Sequence, residues 1–265
     1  MPTGLCGRNP GRSRGAILFY EAFWRVFRII WGALWRFEAL GMERVPAAGG
    51  LLIVANHQSH LDPVSLGMAV RRRHVTFIAR SGLLKVPGFG AIIGLLNAVP
   101  LRQDAPDVQA IRTAVSLLGA GRAVLIFPEG SRTPDGAMHP FRRGAWLVLS
   151  RARCRVLPMA VEGTYDTMPR GKLPRVFGRK IMAKVGVPIE ADELLKLGHE
   201  AGLERLAEVI EQMRGELAVE LARQGYRVTT SGRSSAELSS DGLVTKAAAE
   251  HAPHGQRPDV QGSSE

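Results

Sequence analysis

Beyond residue 50 the chain alternates short apolar runs with helical patterns. Strands are predicted at 51–55 (LLIVA), 75–79 (VTFIA), 98–101 (AVPL), 123–127 (AVLIF), 156–161 (VLPMAV) and 180–187 (KIMAKVGV). Helices are predicted near 63–70, 87–95, 105–119, 144–152 and 191–224. Runs without polar alternation mark strands covered on both faces, and strands separated by helices imply parallel crossovers. The expected fold is therefore α/β, a single domain over 43–225 with a largely parallel mixed sheet flanked by helices. Ligands of such sheets sit at the carboxyl ends of strands. In the last helix Leu203, Leu206, Ile210, Met213, Leu217 and Leu221 recur at spacings of three and four, with Glu residues opposite, as a packing helix requires.

Upstream the pattern changes. Residues 1–16 form a short basic lead rich in Gly, Pro, Ser and Arg, expected to be disordered. Residues 17–42 then hold half of the aromatics: Phe19, Tyr20, Phe23, Trp24, Phe27, Trp31, Trp35 and Phe37. On a helical wheel Glu21, Arg25, Arg28 and Arg36 gather on one side, and apolar residues cover most of the rest. The five charges between 17 and 40 argue against a clean spanning helix, and no uninterrupted secretory core precedes a cleavage site. The expectation is an amphipathic helix lying in the headgroup boundary of a membrane; the competing reading is a core helix packed on the body. Residues 226–265, rich in Ser, Gly and Ala without periodicity, are expected to be a disordered tail.

Charge sharpens the picture. Residues 1–189 carry 27 basic and 10 acidic side chains, whereas 190–265 carry 8 and 14. So basic a body attracts an anionic bilayer, a phosphorylated small molecule or nucleic acid. Nucleic acid is disfavoured because the aromatics concentrate in one amphipathic segment and do not interleave with basic runs such as Arg71-Arg72-Arg73. The two cysteines, Cys6 and Cys154, are too few for a disulfide framework, which fits a reducing cytoplasm.

Two polar clusters follow apolar strands. Asn56-His57-Gln58-Ser59-His60-Leu61-Asp62-Pro63 comes directly after the first. A short loop can fold the Asp62 carboxylate back onto the His57 imidazole, giving a general base and the group that fixes its tautomer. Asp before Pro is also a good helix N-cap. His57 and His60 lack a third ligand at supporting spacing, so no metal is expected. The second cluster, Phe127-Pro128-Glu129-Gly130-Ser131-Arg132-Thr133, offers a backbone open to close approach at Gly130, a guanidinium fork suited to phosphate at Arg132, and hydroxyl donors at Ser131 and Thr133.

These blocks, NHQSHLD and FPEGSRT in that order, resemble the first and third signatures of the 1-acylglycerol-3-phosphate acyltransferases, a family of glycerolipid acyltransferases. The similarity runs from about Arg44 to Pro188 and includes Val86-Pro87-Gly88-Phe89-Gly90 with Asn97-Ala98-Val99-Pro100-Leu101-Arg102 as a second block, whose usual Gly is replaced. A fourth block corresponds to Val156–Val161. The resemblance implies transfer of a fatty acyl group from acyl-CoA or acyl-carrier protein to the free hydroxyl of lysophosphatidate, with no cofactor besides the thioester. It implies His57 as base and Asp62 as its orienter, with Arg102, Glu129, Gly130, Ser131 and Arg132 at the glycerophosphate. Glu129 would repel phosphate and is expected to orient Arg132 or a glycerol hydroxyl. The expected place of work is the cytoplasmic face of the cell membrane, peripheral or monotopic. Acyltransfer to another lyso-lipid, such as a lyso-amino-acid lipid or lysophosphatidylcholine, and non-catalytic binding of anionic lipid are the alternatives. A lipid hydrolase is disfavoured because no Gly-x-Ser-x-Gly elbow exists in the chain.

Overall fold

The computed structural model describes residues 14–70, 73–80, 98–101, 107–230 and 233–234. Helix α1 (Arg14–Trp35) leads into β1 (Glu38–Leu40), then β2 (Leu51–Ala55), α2 (Asp62–Ala69), β3 (Val75–Arg80) and β4 (Ala98–Leu101). There follow α3 (Asp107–Gly119), β5 (Ala123–Ile126), α4 (Arg143–Ala152), β6 (Arg155–Glu162), the short α5 (Thr164–Thr167) and β7 (Met182–Val185). Helices α6 (Ala191–Leu197) and α7 (His199–Arg223) complete the body, with a small hairpin of Thr229–Thr230 and Arg233–Ser234 behind them.

Seven strands form one sheet in the order β1-β7-β6-β2-β5-β3-β4. All neighbours pair in parallel except β6 and β7. The largely parallel mixed sheet expected from the alternating pattern is therefore present. Its two faces divide the strand residues by parity. Leu51, Ile53, Ala55, Leu157, Met159 and Val161 face α1 and α2, while Leu52, Val54, Val124, Val156 and Ala160 face α3, α4 and α7. Every residue of β2 is buried, as a strand covered on both sides must be.

Four expectations are corrected. The helix predicted over 191–224 is two helices, because Gly198 adopts φ 84° and turns the chain between them, a conformation other residues rarely reach. Strand β1 lies inside the segment expected to dock on membrane, pairing Glu38, Ala39 and Leu40 with β7. The tail begins later than 226: Val228 is buried, and Thr229 donates from its amide and hydroxyl to the Asp166 carboxylate at 2.7 and 2.9 Å. The helix predicted at 87–95, the second signature block up to Asn97, Arg71, Arg72 and Arg102 lie outside the described residues, as do 235–265.

The fourth correction concerns α1, which starts before residue 17 and turns most of its aromatic rings inward. Tyr20, Trp24, Trp31 and Trp35 are buried against the sheet, with Phe23, Phe27 and Phe37 packed beside them. Buried aromatic polar atoms need partners, and this face supplies them for Tyr20, Trp31 and Trp35 but, among the described residues, not for the Trp24 indole. The Trp31 indole donates to Ser65 Oγ at 3.2 Å, that of Trp35 to the Arg175 carbonyl at 2.9 Å, and the Val75 amide to the Tyr20 hydroxyl at 3.2 Å. The opposite side exposes mainly aliphatic residues, Ile29 being 73% accessible, with Leu18, Val26, Ile30 and Leu34 and the one aromatic Phe19 also exposed. The helix is thus apolar on two sides. No helix among the described residues is long and apolar enough to cross a membrane.

Candidate active site

Strand β2 lies between β5 and β6, all three parallel, so their carboxyl ends open side by side. The loop after β2 carries His57, the turn after β5 carries Phe127 to Thr133, and β6 ends on Glu162. Asn56 extends the β2–β6 ladder past the end of β2. Its side-chain amide donates to the Val161 carbonyl and accepts from the Val161 amide, each at 2.9 Å, in the manner of a peptide group.

The chain then bends back, and the Asp62 carboxylate reaches the imidazole: His57 Nδ1 lies 2.9 Å from Asp62 Oδ2. The same oxygen accepts the amides of Gln58 at 2.6 Å and Ser59 at 2.7 Å. Asp62 is itself the first residue of α2 and makes no N-cap bond, so its side chain closes the preceding loop and does not cap the helix, contrary to the N-cap reading. Because the fully buried carboxylate accepts a hydrogen bond from Nδ1–H, Nε2 is left as the acceptor. The Phe127 ring stacks on the imidazole with centroids 3.9 Å apart, and the His57 side chain keeps 17% of its surface accessible. A tautomer fixed on one side and a lone pair on the other are what proton abstraction from a hydroxyl requires.

Glu129 has a different task from the one expected. It is buried, and its two oxygens accept backbone N–H bonds from His57 at 2.7 Å and His139 at 2.9 Å. Burial pushes this carboxyl up, while those two amides oppose the shift. Neither an ion pair nor a hydrogen bond joins it to Arg132 among the described residues, so it clamps the base loop to the 139 region instead of orienting Arg132. Gly130 follows at φ 74°, and a Cβ there would lie 2.7 Å from the Arg142 Nε. That guanidinium donates to the Glu129 carbonyl at 3.0 Å, which explains the glycine without a ligand. The Thr133 hydroxyl, expected as a ligand donor, is buried and used inside its own turn, donating to Asp135 Oδ1 at 2.7 Å. Gly130 and Ser131 are exposed on the turn.

Arg132 forms neither an ion pair nor a hydrogen bond among the described residues. Burial lowers its affinity for its proton, nearby Arg170 lowers it further, and Asp62 opposes both. His60 is lowered to about 4, first by burial and then by the charges of Arg132 and His57, with Asp62 opposing, so it is neutral at pH 7. The structure thus brings His57, Asp62, Glu129, Gly130, Ser131 and Arg132 to one end of the sheet, and a guanidinium without a carboxylate partner beside the imidazole suits an anion.

Motif reading missed the buried network behind the loop. Gln58 Nε2 donates to Glu162 Oε1 at 2.8 Å, and Thr164 Oγ1 donates to Gln58 Oε1 at 3.1 Å. Glu162 Oε2 accepts from Arg214 Nε at 3.0 Å, and Arg214 NH2 donates to the Gly136 carbonyl at 2.9 Å. Burial pushes Glu162 up to about 7 while Arg214 and Gln58 pull it down. One signal was readable: Arg214 interrupts the apolar stripe of Ile210, Met213 and Leu217, and an arginine on a buried helix face needs a partner.

Residues 36–162, which include His57, Asp62 and the 127–133 turn, match the family described as Acyltransferase. The chain is 29% identical over 170 residues to the chloroplastic 1-acyl-sn-glycerol-3-phosphate acyltransferase BAT2 of Brassica napus, over 58% of this chain and 48% of that protein. It is 25% identical to the 1-acyl-sn-glycerol-3-phosphate acyltransferase of Bacillus subtilis, over 63% of this chain and 84% of that one. The crystal structure of the 1-acyl-sn-glycerophosphate acyltransferase PlsC of Thermotoga maritima superposes with a TM-score of 0.64 at 27% identity, covering 78% of this chain and 84% of that one. The chain spans about half the length of the Brassica napus relative.

Proposed function

We propose that this chain transfers a fatty acyl group from acyl-CoA or acyl-carrier protein to the free hydroxyl of 1-acylglycerol-3-phosphate, giving phosphatidate in phospholipid biosynthesis. The observation that carries the reading is the 2.9 Å bond from His57 Nδ1 to a carboxylate inside the stretch that matches the acyltransferase family. His57 Nε2 takes the hydroxyl proton as the acceptor oxygen attacks the thioester carbonyl. Collapse of the tetrahedral intermediate breaks the C–S bond and releases a thiolate, which takes a proton from the imidazolium or from solvent. A thiolate leaves readily, so no covalent acyl-enzyme is required. Arg132 receives the acceptor phosphate, beside a histidine that burial keeps neutral. Arg102, outside the described residues, is assigned to the same phosphate only through the resemblance of its block to the family's second signature.

The acceptor is an amphiphile of the bilayer; on this reading the enzyme works peripherally on the cytoplasmic leaflet, and the exposed aliphatic side of α1, which would meet the lipid, supports the peripheral docking. The test is a labelled-thioester assay offering lysophosphatidate, lysophosphatidylcholine and a lyso-amino-acid lipid in parallel. Labelled phosphatidate as the dominant product supports the assignment; transfer only to another headgroup, or thioester hydrolysis without transfer, overturns it.

A further inference from the structure

Between α5 and β7 the chain makes a loop, residues 169–179, that the site chemistry does not use. Its tip holds Leu173 and Phe177, 86% and 93% accessible, the two most exposed large apolar side chains among the described residues. No acidic residue occurs from 167 to 189, while the loop carries Arg170, Lys172, Arg175 and Arg179. Among the described residues the side chains of Arg170, Lys172 and Arg179 make neither an ion pair nor a hydrogen bond.

The base of the loop is fixed. The Arg175 amide donates to the Thr167 carbonyl at 2.8 Å, and the Lys172 amide to the Pro169 carbonyl at 3.1 Å. Trp35 of α1 donates to the Arg175 carbonyl, and Ser59 Oγ of the base loop donates to the Met168 carbonyl at 2.8 Å. The projection therefore starts at the active site, is tied through Trp35 to the buried face of α1, and brings Arg170 close enough to Arg132 for their charges to interact.

We propose that the 169–179 loop is a bilayer-docking finger: Leu173 and Phe177 enter the acyl–headgroup boundary of an anionic membrane while Arg170, Lys172 and Arg179 hold its phosphates. This deepens the acyltransferase reading and rests on it for the identity of the surface. Apolar tips flanked by unpaired cations are the pattern of an interfacial anchor, with burial and headgroup attraction acting together. An acidic protein would match the cations and leave the Leu173 and Phe177 tips without a complement. Docked in this way, the finger holds the mouth of the site at the depth of the lyso-lipid phosphate.

The test compares binding of the full chain to sedimented vesicles of phosphatidylcholine alone and of phosphatidylcholine with phosphatidylglycerol mixed two to one, at low and high salt. Leu173→Ala with Phe177→Ala should weaken binding to the mixed vesicles roughly ten- to a hundredfold, and the residual binding should be released by salt. Lys172→Gln with Arg179→Gln should weaken binding to the mixed vesicles a few-fold and leave the weak binding to neutral vesicles unchanged. Because both residues are exposed, the apolar pair should keep its thermal transition and its turnover of a detergent-dispersed acceptor. Unchanged vesicle binding in both double variants would overturn the finger. So would an apolar pair that binds vesicles normally but loses transfer from acyl-carrier protein alone, since the loop would then be a donor-protein surface. Vesicle binding needs no turnover, so a wild-type chain that docks through the loop but transfers no acyl group supports the finger and refutes the acyltransferase reading.

Discussion

Replacing Asp62 with Asn separates two contributions a carboxylate makes to a histidine base. Three donors converge on Asp62 Oδ2, from His57 Nδ1, Gln58 N and Ser59 N, and its other oxygen is buried without a hydrogen-bond partner. In Asp62→Asn the two backbone donors force the amide oxygen into the Oδ2 position, because the NH₂ group there would face N–H groups. The amide oxygen still accepts from Nδ1–H, so the tautomer survives and Nε2 remains the base. What disappears is the negative charge that stabilises the imidazolium formed as the hydroxyl proton arrives. At a charge separation of about 4 Å and an effective dielectric of about 20, that attraction is about 4 kcal/mol. Relaxation and the altered ground state reduce it, so kcat should fall roughly 10²–10³-fold with little change in acceptor KM. The assay is release of CoA thiol from a saturating thioester, with the thermal transition of each preparation measured alongside. Asp62→Ala, which leaves all three donors without an acceptor, should lose stability as well as turnover. Wild-type kcat in Asp62→Asn, or a loss seen only as a lower transition temperature, would refute the argument and leave Asp62 with a loop-closing role alone.

Other outcomes follow from the same geometry. Arg132→Lys should raise the apparent constant for lysophosphatidate several-fold and leave that for the thioester unchanged, because an ammonium cannot make the planar two-point contact; the reverse pattern would move Arg132 to the donor site. Arg214 also pairs with the more exposed Glu211 at 2.9 Å, so Glu162→Leu or Arg214→Met, each removing one side of the buried pair, should cost about 3–5 kcal/mol in urea unfolding, while the double variant should recover much of it. A double variant whose loss is the sum of the Glu162→Leu and Arg214→Met losses would show that the pair is not coupled. His60 titrates near 6.5 unfolded and at about 4 folded. Between those values the unfolded chain holds the extra proton, so stability present above pH 6.5 declines as pH falls toward 4 and levels below it. For this half-buried ring the decline is about 1–2 kcal/mol after solvent screening. His60→Gln should flatten the decline, and an unchanged slope would assign it to other groups.

The central strands were legible because β2, β5 and β6 are continuous apolar runs, a pattern that only burial on both faces produces. The pairing of His57 with Asp62 was legible because both fall in one eight-residue loop after a strand. Other features were not. A helix apolar on two sides gives the same wheel whether its aromatics meet lipid or sheet, and only the hydrogen bonds of Trp31 and Trp35 decide between them. Three residues of β1 are too few to show alternation, and the antiparallel setting of β7 has no mark in composition. Glu129 was misassigned because a carboxylate in a polar turn looks like a ligand group until its backbone partners are seen. Arg214 lies 52 residues from Glu162, so no local spacing links them.

The central claim is that His57 is the base for acyl transfer, and the most direct test is single-turnover transfer of a labelled acyl group to lysophosphatidate by wild type and His57→Ala. The imidazole is partly exposed and its carboxylate partner stays bonded to the Gln58 and Ser59 amides, so the variant should fold. Transfer should slow by roughly 10²–10⁴ with lysophosphatidate binding unchanged. Transfer at near the wild-type rate by folded His57→Ala would contradict the account.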